Sequence, residues 1–281
     1  MKLNHHKRHL MKLLLILLLG YAVSACAEVY QWQDSRGDKH FSDRAHGNSK
    51  KIQLKQGYPY YKVERVYDGD TVRLEDGRKI RLLGINTPEV QHRNQDAEAG
   101  GETAKRWLVD KLRNHKVRLV TDVEQTDKYR RTLAHLITEN NEHINVQLVE
   151  IGLAAANIYP PNLLYADQLV AAGNWAEQAK RGIWQQVEYA VIPVDRLAKT
   201  GHSGWTRLMG KVSAIRSSRK YVYLEFSELF QARIEKKWLP LFPDINSYRG
   251  RNLEVRGWLN KNRGGWSMLI RHPSAIKIIS G

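Results

Sequence analysis

Short runs in which hydrophobic and polar residues alternate recur between residues 60 and 138, and this period of two is typical of half-buried strands. The predicted strands lie near 60–67, 71–75, 79–85, 116–121 and 132–138. Asp76-Gly77 separates the second run from the third and is a strong signal for a tight hairpin. The hairpin should bring the residues before 71 close to those after 85.

Three further segments show helical spacing of apolar residues instead. They are 104–112, 144–151 and 165–179. Glycines 152 and 182 follow the second and third segments, where a left-handed residue commonly ends a helix. Five strands with three helices predict an oligonucleotide-binding (OB) type barrel over residues 58–187.

The remainder of the chain contains turn signals and no strongly periodic helix. Further strands are predicted at 208–215, 221–226, 232–238, 252–259 and 266–271. Their spacing indicates a second small OB-like barrel or a sandwich over residues 205–281, and residues 188–204 are interpreted as a linker. The predicted fold class is therefore mainly β with helices, in which an OB-type barrel precedes a second β domain.

Residues 1–27 have the composition of a secretory signal peptide. Basic residues precede the apolar run Leu13–Leu19, and small residues follow it. The run is shorter than the roughly 20 residues that span a bilayer. Cleavage is expected after Ala27, and lipidation of Cys26 is the alternative. Met11 is a second candidate start. The mature protein should thus be periplasmic or secreted.

Residues 28–57 are predicted to form a short β-hairpin and a linker that starts at His46. Tyr30 and Trp32 alternate on one face, and a turn is expected at 35–37. The pattern Y-x-W-x-D-x-x-G-x-x-x-F-S-D resembles a small β module of unknown function found after bacterial signal peptides. An accessory hairpin and a module that binds a partner or the cell wall are both consistent with it.

Charge narrows the class of partner. Lys and Arg number 45 against 29 acidic residues, a net charge of +16, which favours a polyanion such as nucleic acid or an anionic membrane. Residues 201–281 hold 15 basic and 5 acidic residues, so this segment carries +10. Aromatic residues interleave with these cations, as in a platform for single-stranded nucleic acid; ordinary core aromatics beside a solvated basic face are the alternative. They are Trp205, Tyr221, Tyr223, Trp258 and Trp266.

Two acidic clusters flank the predicted hairpin. The sequence V-E-R-V-Y-D-G-D-T-V-R-L ends at Leu74, and I-R-L-L-G-I-N-T-P-E ends at Glu89. Asp70 should therefore lie near Asn86, Thr87 and Glu89. Arg81 has only apolar or glycine neighbours, so it should sit in the barrel wall and need an anionic partner. Asp68 is interpreted as a residue that forms the turn or supports the metal ligands, rather than as a direct ligand.

These motifs, with D-K-Y-R-R-T-L-A at 127–134, resemble the thermonuclease (staphylococcal-nuclease-like) family over roughly residues 60–185. The resemblance implies an OB fold and Ca²⁺-dependent hydrolysis of DNA and RNA that leaves 3′-phosphate ends. It also implies catalytic roles for Arg81, Glu89 and Arg131, with Glu89 the general base. Lys128 and Tyr129 match contacts to a terminal phosphate, and Tyr159 matches an aromatic beside the bound nucleotide.

The metal ligands are predicted to be Asp70, Asn86 and the carbonyl of Thr87, since hard oxygen donors suit Ca²⁺. The best-known member of the family has a second metal-binding aspartate where this chain has Asn86, so weaker binding is expected. Arg130 replaces a glycine of the family, and Asn157 replaces an aromatic residue. Neither change removes a catalytic role.

The sequence therefore predicts an exported, monomeric endonuclease whose basic C-terminal domain holds the substrate. One alternative is a catalytically weak nucleic-acid-binding protein with tandem OB-type barrels, and another is a surface-anchored module that binds anionic polymers. Histidines 92, 115 and 135 are interpreted as scattered surface residues, and no zinc site is assigned. With Cys26 the sole cysteine, no intrachain disulfide can form.

Overall fold

The computed structural model describes residues 29–45, 47–52, 58–91, 98–200, 204–262 and 264–279. They fall into two compact units, one up to Tyr58 and one from Pro59 onward. The predicted signal peptide, both candidate starts and Cys26 lie outside these ranges. Within them, no helix combines the length and apolar character needed to span a bilayer.

The N-terminal unit is a small antiparallel sheet in the order β2-β1-β3. Its strands are β1 (Val29–Gln33), β2 (Lys39–Ser42) and β3 (Lys50–Ile52). The predicted hairpin is confirmed, since Trp32 pairs with His40. Asp34 closes its turn by accepting the backbone N–H groups of Arg36 and Asp38 at 2.9 and 3.0 Å. β3 falls where a linker was predicted and adds the third strand.

The second unit begins with a closed five-stranded barrel in the order β4-β5-β6-β9-β8. Its strands are β4 (Tyr61–Val66), β5 (Thr71–Leu74), β6 (Lys79–Leu82), β8 (Lys116–Val120) and β9 (Thr132–Thr138). A short strand, β7 (Ile85–Asn86), pairs with β10 (Ala155–Ala156) outside the barrel. The predicted OB-type barrel is confirmed.

Three helices cover this barrel, as predicted: α1 (Gly101–Leu112), α2 (Ile144–Glu150) and α3 (Ala166–Gln178). The apolar face of α1 is buried through Ala104, Leu108 and Leu112, which join the barrel core with Leu148 and Leu169. Burial of such faces, rather than local propensity, supplies most of the stability of short helices.

Two glycines with left-handed backbone shape the ends of these elements. Gly84 (φ +73°) breaks the predicted strand 79–85 into β6 and β7, and a Cβ there would lie 2.3 Å from Leu169 Cδ1. Gly182 (φ +50°) approaches Gly152 so closely that a Cβ would lie 2.1 Å from the Gly152 carbonyl oxygen. Only glycine fits at these two positions, because the Cβ of any other residue would collide with Leu169 or with the Gly152 carbonyl.

The remaining residues form one sheet whose hydrogen-bonded path runs β11-β12-β16-β17-β15-β14-β13, with β18 beside β16. The strands are β11 (Val191–Pro193), β12 (Gly204–Lys211), β13 (Ala214–Ser217), β14 (Tyr221–Ser227), β15 (Phe230–Glu235), β16 (Asn252–Asn262), β17 (Gly265–Ile270) and β18 (Ile276–Ile278). A mainly β chain with a second β domain is thus confirmed. The path is open, and β12 and β13 replace the single predicted strand 208–215.

The segment predicted to be an interdomain linker is structured for most of its length. β11 pairs in parallel with β12, and a short helix α4 (Leu197–Thr200) follows. Val194 and Leu197 are buried in the core of the C-terminal sheet with Leu208 and Phe230. The linker prediction was based on the polar and proline-containing composition of 188–204 and did not take into account that these two apolar residues could be buried.

Candidate active site

The D-G-D-T motif forms the tight connection between β4 and β5. Asp68 Oδ1 accepts the backbone N–H of Asp70 at 2.9 Å, so its predicted role as a turn-forming residue is confirmed. A Cβ on Gly69 would lie 2.7 Å from both the Ala104 and Thr87 side chains. The turn therefore packs against α1 and against the chain after β7, which leaves Asp70 only 6% exposed.

Arg81 lies on β6, directly across the ladder from Thr71. One terminal nitrogen of its guanidinium (Nη2) lies 3.0 Å from Asp70 Oδ2. The other (Nη1) donates to the carbonyls of Leu82 and Ile85 at 2.7 and 3.0 Å. The predicted anionic partner of Arg81 is therefore Asp70, and these bonds hold the guanidinium in the barrel wall.

The three predicted metal-binding residues come together beside this pair. Thr87 N–H donates to Asp70 Oδ2 at 3.0 Å, and Asn86 Nδ2 lies 3.3 Å from the Thr87 carbonyl oxygen. Asn86 and Thr87 are nearly inaccessible to solvent. Asn86 is held in register by β7, because it pairs with Ala155 of β10.

Glu89 follows at the start of the loop that leads to α1. Its N–H donates to Glu98 Oε2 at 3.0 Å, and Glu98 N–H donates back to the Glu89 carbonyl at 2.9 Å. A Cβ on Gly101 would lie 2.4 Å from that same carbonyl. The backbone of Glu89 is thus fixed against the first turn of α1.

Carboxylates are crowded at this end of the barrel. Burial, together with the negative charges of Asp70 and Glu89, raises the pKa of Asp68 to about 7, although Arg81 opposes the shift. Like charges at short range disfavour ionisation in this way. The cluster would therefore be stabilised by additional positive charge.

Arg131, on the loop before β9, is linked to Asp70 through Thr71. Its Nε donates to Asp127 Oδ2 at 2.7 Å, and its Nη1 lies 3.4 Å from Thr71 Oγ1. Thr71 Oγ1 in turn donates to Asp70 Oδ1 at 3.1 Å. A continuous chain of contacts, Arg131–Thr71–Asp70–Arg81, thus joins both predicted catalytic arginines.

Lys128 and Tyr129 lie at the tip of the Arg131 loop. Tyr129 is 67% exposed. Lys128 Nζ lies 4.8 Å from the centre of its ring, and the Arg131 guanidinium lies 5.4 Å from it. Arg130, which lies between Tyr129 and Arg131 in the chain, adopts φ +63°, a left-handed conformation that a glycine would adopt without strain.

Tyr159 follows β10 and is 37% exposed. Its segment lies against β7, since Asn157 N–H donates to the Gly84 carbonyl at 2.8 Å. On its outer side the guanidinium of Arg271, from the C-terminal sheet, lies 4.4 Å from the centre of the Tyr159 ring. Tyr159 therefore separates the barrel site from the C-terminal domain.

Three residues of the site were missed by the sequence reasoning. Thr71 bridges the two arginines, Asp127 orients Arg131, and Glu98 fixes Glu89. Asp127 also accepts the N–H groups of Tyr129 and Arg131 at 2.8 and 2.9 Å. An aspartate two and four residues before those positions is a recognised turn signal, so Asp127 could have been found; nothing local indicates Glu98.

The interpretation of His135 as a surface residue is wrong. His135 is 3% exposed, and its Nδ1 lies 3.1 Å from His143 Nε2, with the Tyr165 ring packed against both. The sequence of β9 did not indicate whether His135 lies on the buried or the exposed face of the strand. Among the described residues, no group of three or more His, Cys, Asp and Glu side chains is arranged to hold a metal ion.

Comparisons with known proteins agree with this geometry. Residues 79–186 match the family model for staphylococcal nuclease homologues, and residues 16–60 match a domain of unknown function, DUF4124. The second match fits the small N-terminal module. The first covers the barrel from β6 to the end of the helices and includes both Arg81 and Arg131.

Individual proteins are also similar to this chain in sequence. A thermonuclease of Staphylococcus intermedius is 39% identical over 129 residues, which are 45% of this chain and 76% of the relative. A thermonuclease of Staphylococcus hyicus is 38% identical over 127 residues, 44% of this chain and 75% of the relative. An uncharacterised protein of Methanocaldococcus jannaschii is 30% identical over 196 residues, 61% of this chain and 93% of that protein.

The barrel, the paired arginines and the relatives that are matched over most of their length lead to one conclusion. The chain belongs to the staphylococcal nuclease family and is a nuclease that hydrolyses the phosphodiester bonds of nucleic acid.

Proposed function

We propose that this nuclease is a Ca²⁺-dependent endonuclease that cleaves DNA and RNA and leaves 3′-phosphate ends. One observation carries the proposal: Arg81 and Arg131 are tied through Thr71 to Asp70, with Arg81 3.0 Å from the Asp70 carboxylate. Two guanidinium groups and a carboxylate at one point match a phosphate held next to a cation.

The residues present fit a calcium ion. The Asp70 carboxylate, the Asn86 amide and the Thr87 carbonyl are oxygen donors of the kind Ca²⁺ prefers. Burial and the negative charges of Asp70 and Glu89 raise the pKa of Asp68, and a cation would relieve the repulsion among these carboxylates. When bound there, Ca²⁺ supplies positive charge that stabilises the negatively charged phosphorane.

The side chains have the following roles in the proposed reaction. Glu89 removes a proton from water, and the water oxygen forms a bond to phosphorus. The bond from phosphorus to the 5′-oxygen breaks, the 5′-oxygen takes a proton from solvent, and the phosphate stays on the 3′-oxygen. Arg81 and Arg131 hold the phosphate oxygens through paired donors, a geometry that lysine does not reproduce.

Lys128, Tyr129 and Tyr159 would bind the substrate on either side of this phosphate. Lys128 and Tyr129 are exposed on the Arg131 loop, where they can meet a terminal phosphate. Tyr159 offers a half-exposed ring beside the strand that carries Asn86. A nucleotide would thus lie between the loop and the segment after β10.

Plasmid cleavage by the purified protein, with Ca²⁺ and then with excess chelator, tests the proposal, and calorimetric titration with Ca²⁺ gives a readout independent of activity. Glu89→Gln and Arg81→Lys should lower kcat by about a hundredfold or more while the oligonucleotide is still bound. Glu150→Gln, on the exposed side of α2, is the matched control. Binding without turnover in the unmodified protein would instead favour a nucleic-acid-binding protein.

We also propose that the protein is exported as a monomer, either free in the periplasm or medium or anchored through lipid on Cys26. The composition of residues 1–27 supports export. Mass spectrometry of the mature N-terminus decides between the two forms: an unmodified chain that starts at Glu28 supports the free form, and a lipidated Cys26 supports the anchor. An intact Met1 or Met11 in the cell extract would contradict export.

A further inference from the structure

The outer face of the C-terminal sheet carries a row of aromatic and basic side chains that crosses the strands. Residues opposite each other in a ladder share one face of the sheet. Across neighbouring strands, Arg216 is paired with Tyr223, Tyr223 with Arg233, and Arg233 with Leu269. Trp205 and Trp258 are likewise paired. Leu259 of β16 is paired with Met268 of β17. Their chain neighbours Trp258 and Leu269 line one cleft together with Trp205.

This row is distinct from the core. The alternate residues Leu224, Ala232 and Ile234 point inward and are buried, whereas Tyr223 and Arg233 are partly exposed. Trp266, which the sequence had grouped with the aromatic platform, packs against the core instead. The outer face thus has its own composition of rings and guanidinium groups.

Rings and cations along the row already contact each other. The Arg216 guanidinium lies 4.3 Å from the centre of the Tyr223 ring, and that of Arg233 lies 5.4 Å from the centre of the neighbouring Tyr221 ring. The Tyr221 and Tyr223 ring centres are 6.1 Å apart. Such surfaces stack nucleobases and attract phosphates.

One end of the row is covered by the nuclease barrel. There Arg207 and Arg256, on the same outer face, bind Glu177 of α3. The row therefore runs from the open part of the sheet towards the contact with the barrel, and it ends at the cleft beside Tyr159.

The cleft is built jointly by the two domains. Residues 156–159 form its barrel side, and Trp205, Trp258 and Arg271 belong to the opposite side, around a cavity of about 30 Å³. Trp258 is 36% exposed, and Arg271 lies 4.4 Å above the Tyr159 ring. Arg256 also lines the cleft, and among the described residues its buried Nε has no hydrogen-bond partner.

The cleft and the candidate active site share one structural element. Ala155 pairs with Asn86, and Ala156 pairs with Ile85. The strand that carries the predicted metal ligand Asn86, β7, is thus paired with β10, and Ala156 of β10 lines the cleft. A strand of nucleic acid that leaves the active site past Tyr159 would enter the cleft directly.

We propose that the cleft and the row form a binding track for single-stranded nucleic acid that continues the catalytic site onto the C-terminal sheet. The inference deepens the proposed function and rests on it, because it assigns a substrate form and further substrate-binding residues to the same site. Only single strands expose the base faces that Trp258 and Tyr223 can stack on. The +10 charge of residues 201–281 supplies the attraction to phosphates.

The size of the track sets the substrate length. Six strands lie along the row, and neighbouring strands are about 4.8 Å apart, so the row spans about 24 Å. Single OB-type modules commonly occupy 4 or more nucleotides. A strand of about 12 nucleotides would therefore be long enough to fill the active site, the cleft and the row together.

The test measures binding of the full chain to a fluorescent oligothymidylate of about 12 nucleotides and to the corresponding duplex, in excess chelator to prevent cleavage. Trp258→Ala should weaken single-strand binding by about tenfold through loss of stacking, with little effect on the duplex. Arg271→Ala should weaken it and lower the slope of log K against log salt by about one. With Ca²⁺ present, both variants should raise KM and leave kcat within about twofold of the unmodified enzyme.

Two variants serve as matched controls. Arg251→Ala removes one exposed cation from the turn before β16, and Trp175→Ala removes an exposed ring from α3. Neither residue lines the cleft, so both should bind the oligonucleotide as the unmodified protein does. Thermal unfolding of each variant checks that it folds, and Arg271→Gln replaces Arg271→Ala if the latter does not.

Two results would overturn the track: single-strand binding unchanged in Trp258→Ala and Arg271→Ala, or equal losses for single strand and duplex. Failure of the proposed function is seen separately, because an unmodified protein that binds the oligonucleotide but does not cleave it with Ca²⁺ would disprove the enzyme and leave the track intact.

Discussion

At the scale of single residues, two departures from the family have consequences that the structure makes clear. Arg130 stands where the family has glycine, and its φ of +63° is the conformation that glycine favours. Asn86 stands where the best-known member of the family has aspartate, and it lies against Thr87 in a cluster that already holds Asp68 and Asp70. The first departure costs backbone strain, and the second lowers the negative charge at the candidate metal site.

Replacement of Arg130 by glycine should stabilise the protein by about 1 kcal/mol, because the left-handed conformation costs roughly 1–2 kcal/mol for a residue with a Cβ. Urea unfolding measures the gain. Arg130→Ala is the control, since it removes the side chain but keeps the Cβ and should give no gain. Equal stability of the glycine and alanine variants would show that the loop relaxes in solution.

Replacement of Asn86 by aspartate should tighten Ca²⁺ binding by about tenfold, because affinity rises with the number of carboxylate ligands. Isothermal titration calorimetry measures the change. Asn114→Asp adds the same charge in the turn after α1 and should leave the affinity unaltered. Weaker binding in Asn86→Asp would mean that repulsion from Asp68 and Asp70 outweighs the added attraction.

At the scale of elements, the hairpin β5–β6 and the pairing of β7 with β10 bring the site together. The sequence predicted the hairpin from Asp76-Gly77 because that turn is encoded by adjacent residues. It did not predict the break at Gly84, which depends on Leu169 of a helix far along the chain. A local sequence pattern indicates whether a segment is a strand or a helix. It does not indicate which residue, distant in sequence, will pack against the segment and interrupt it.

A second link between elements is the histidine pair that packs α2 against β9. Burial and the His143 charge lower the pKa of His135 to about 3, and burial and the Arg118 charge lower that of His143 to about 4. Asp122 acts in the opposite direction on His135. Both rings are therefore neutral in the native state at pH values where the unfolded chain is protonated.

The contribution of this histidine pair to stability should consequently be constant well above pH 6.5 and fall as the pH drops below it, where the unfolded state binds the extra protons. His143→Gln removes one such group and should reduce the slope between pH 5 and 6 by up to about 1.4 kcal/mol per pH unit. Urea unfolding across pH 5–7.5 tests this. His115→Gln, in the turn before β8, is the control, and a slope unchanged in His143→Gln would contradict the prediction.

At the scale of the whole molecule, the C-terminal sheet is fastened to the barrel by a buried ionic network. Glu177 of α3 binds Arg256 and Lys277 at 3.0 and 2.5 Å and also contacts Arg207. Glu254 binds the same two arginines, and its side chain is 5% exposed. The network fixes the sheet beside Tyr159 and so creates the cleft.

Burial opposes ionisation of Glu177, but Arg256, Lys277 and Arg207 outweigh it and lower its pKa to about 2. Its stabilising contribution is thus complete above pH 4.5 and is lost as the pH falls from there towards 2. Glu177→Gln should destabilise the protein by about 3 kcal/mol at neutral pH, because buried arginines lose their partner. Urea unfolding measures the loss, Glu150→Gln is the exposed control, and a loss below about 0.5 kcal/mol would contradict the prediction.

The amino-acid sequence by itself determined most of the strands, the three helices of the barrel domain, the hairpin and the basic C-terminal segment, and its motifs indicated the nuclease family. These features depend on residues close together in the chain, whose period and turn chemistry are local. Only the tertiary structure decided that Thr71 joins Arg131 to Arg81 through Asp70, that His135 is buried, and that Arg271 lies over Tyr159. Those contacts join residues that are distant in sequence, so they exist only once barrel closure and the packing of the sheet against α3 have placed the side chains together.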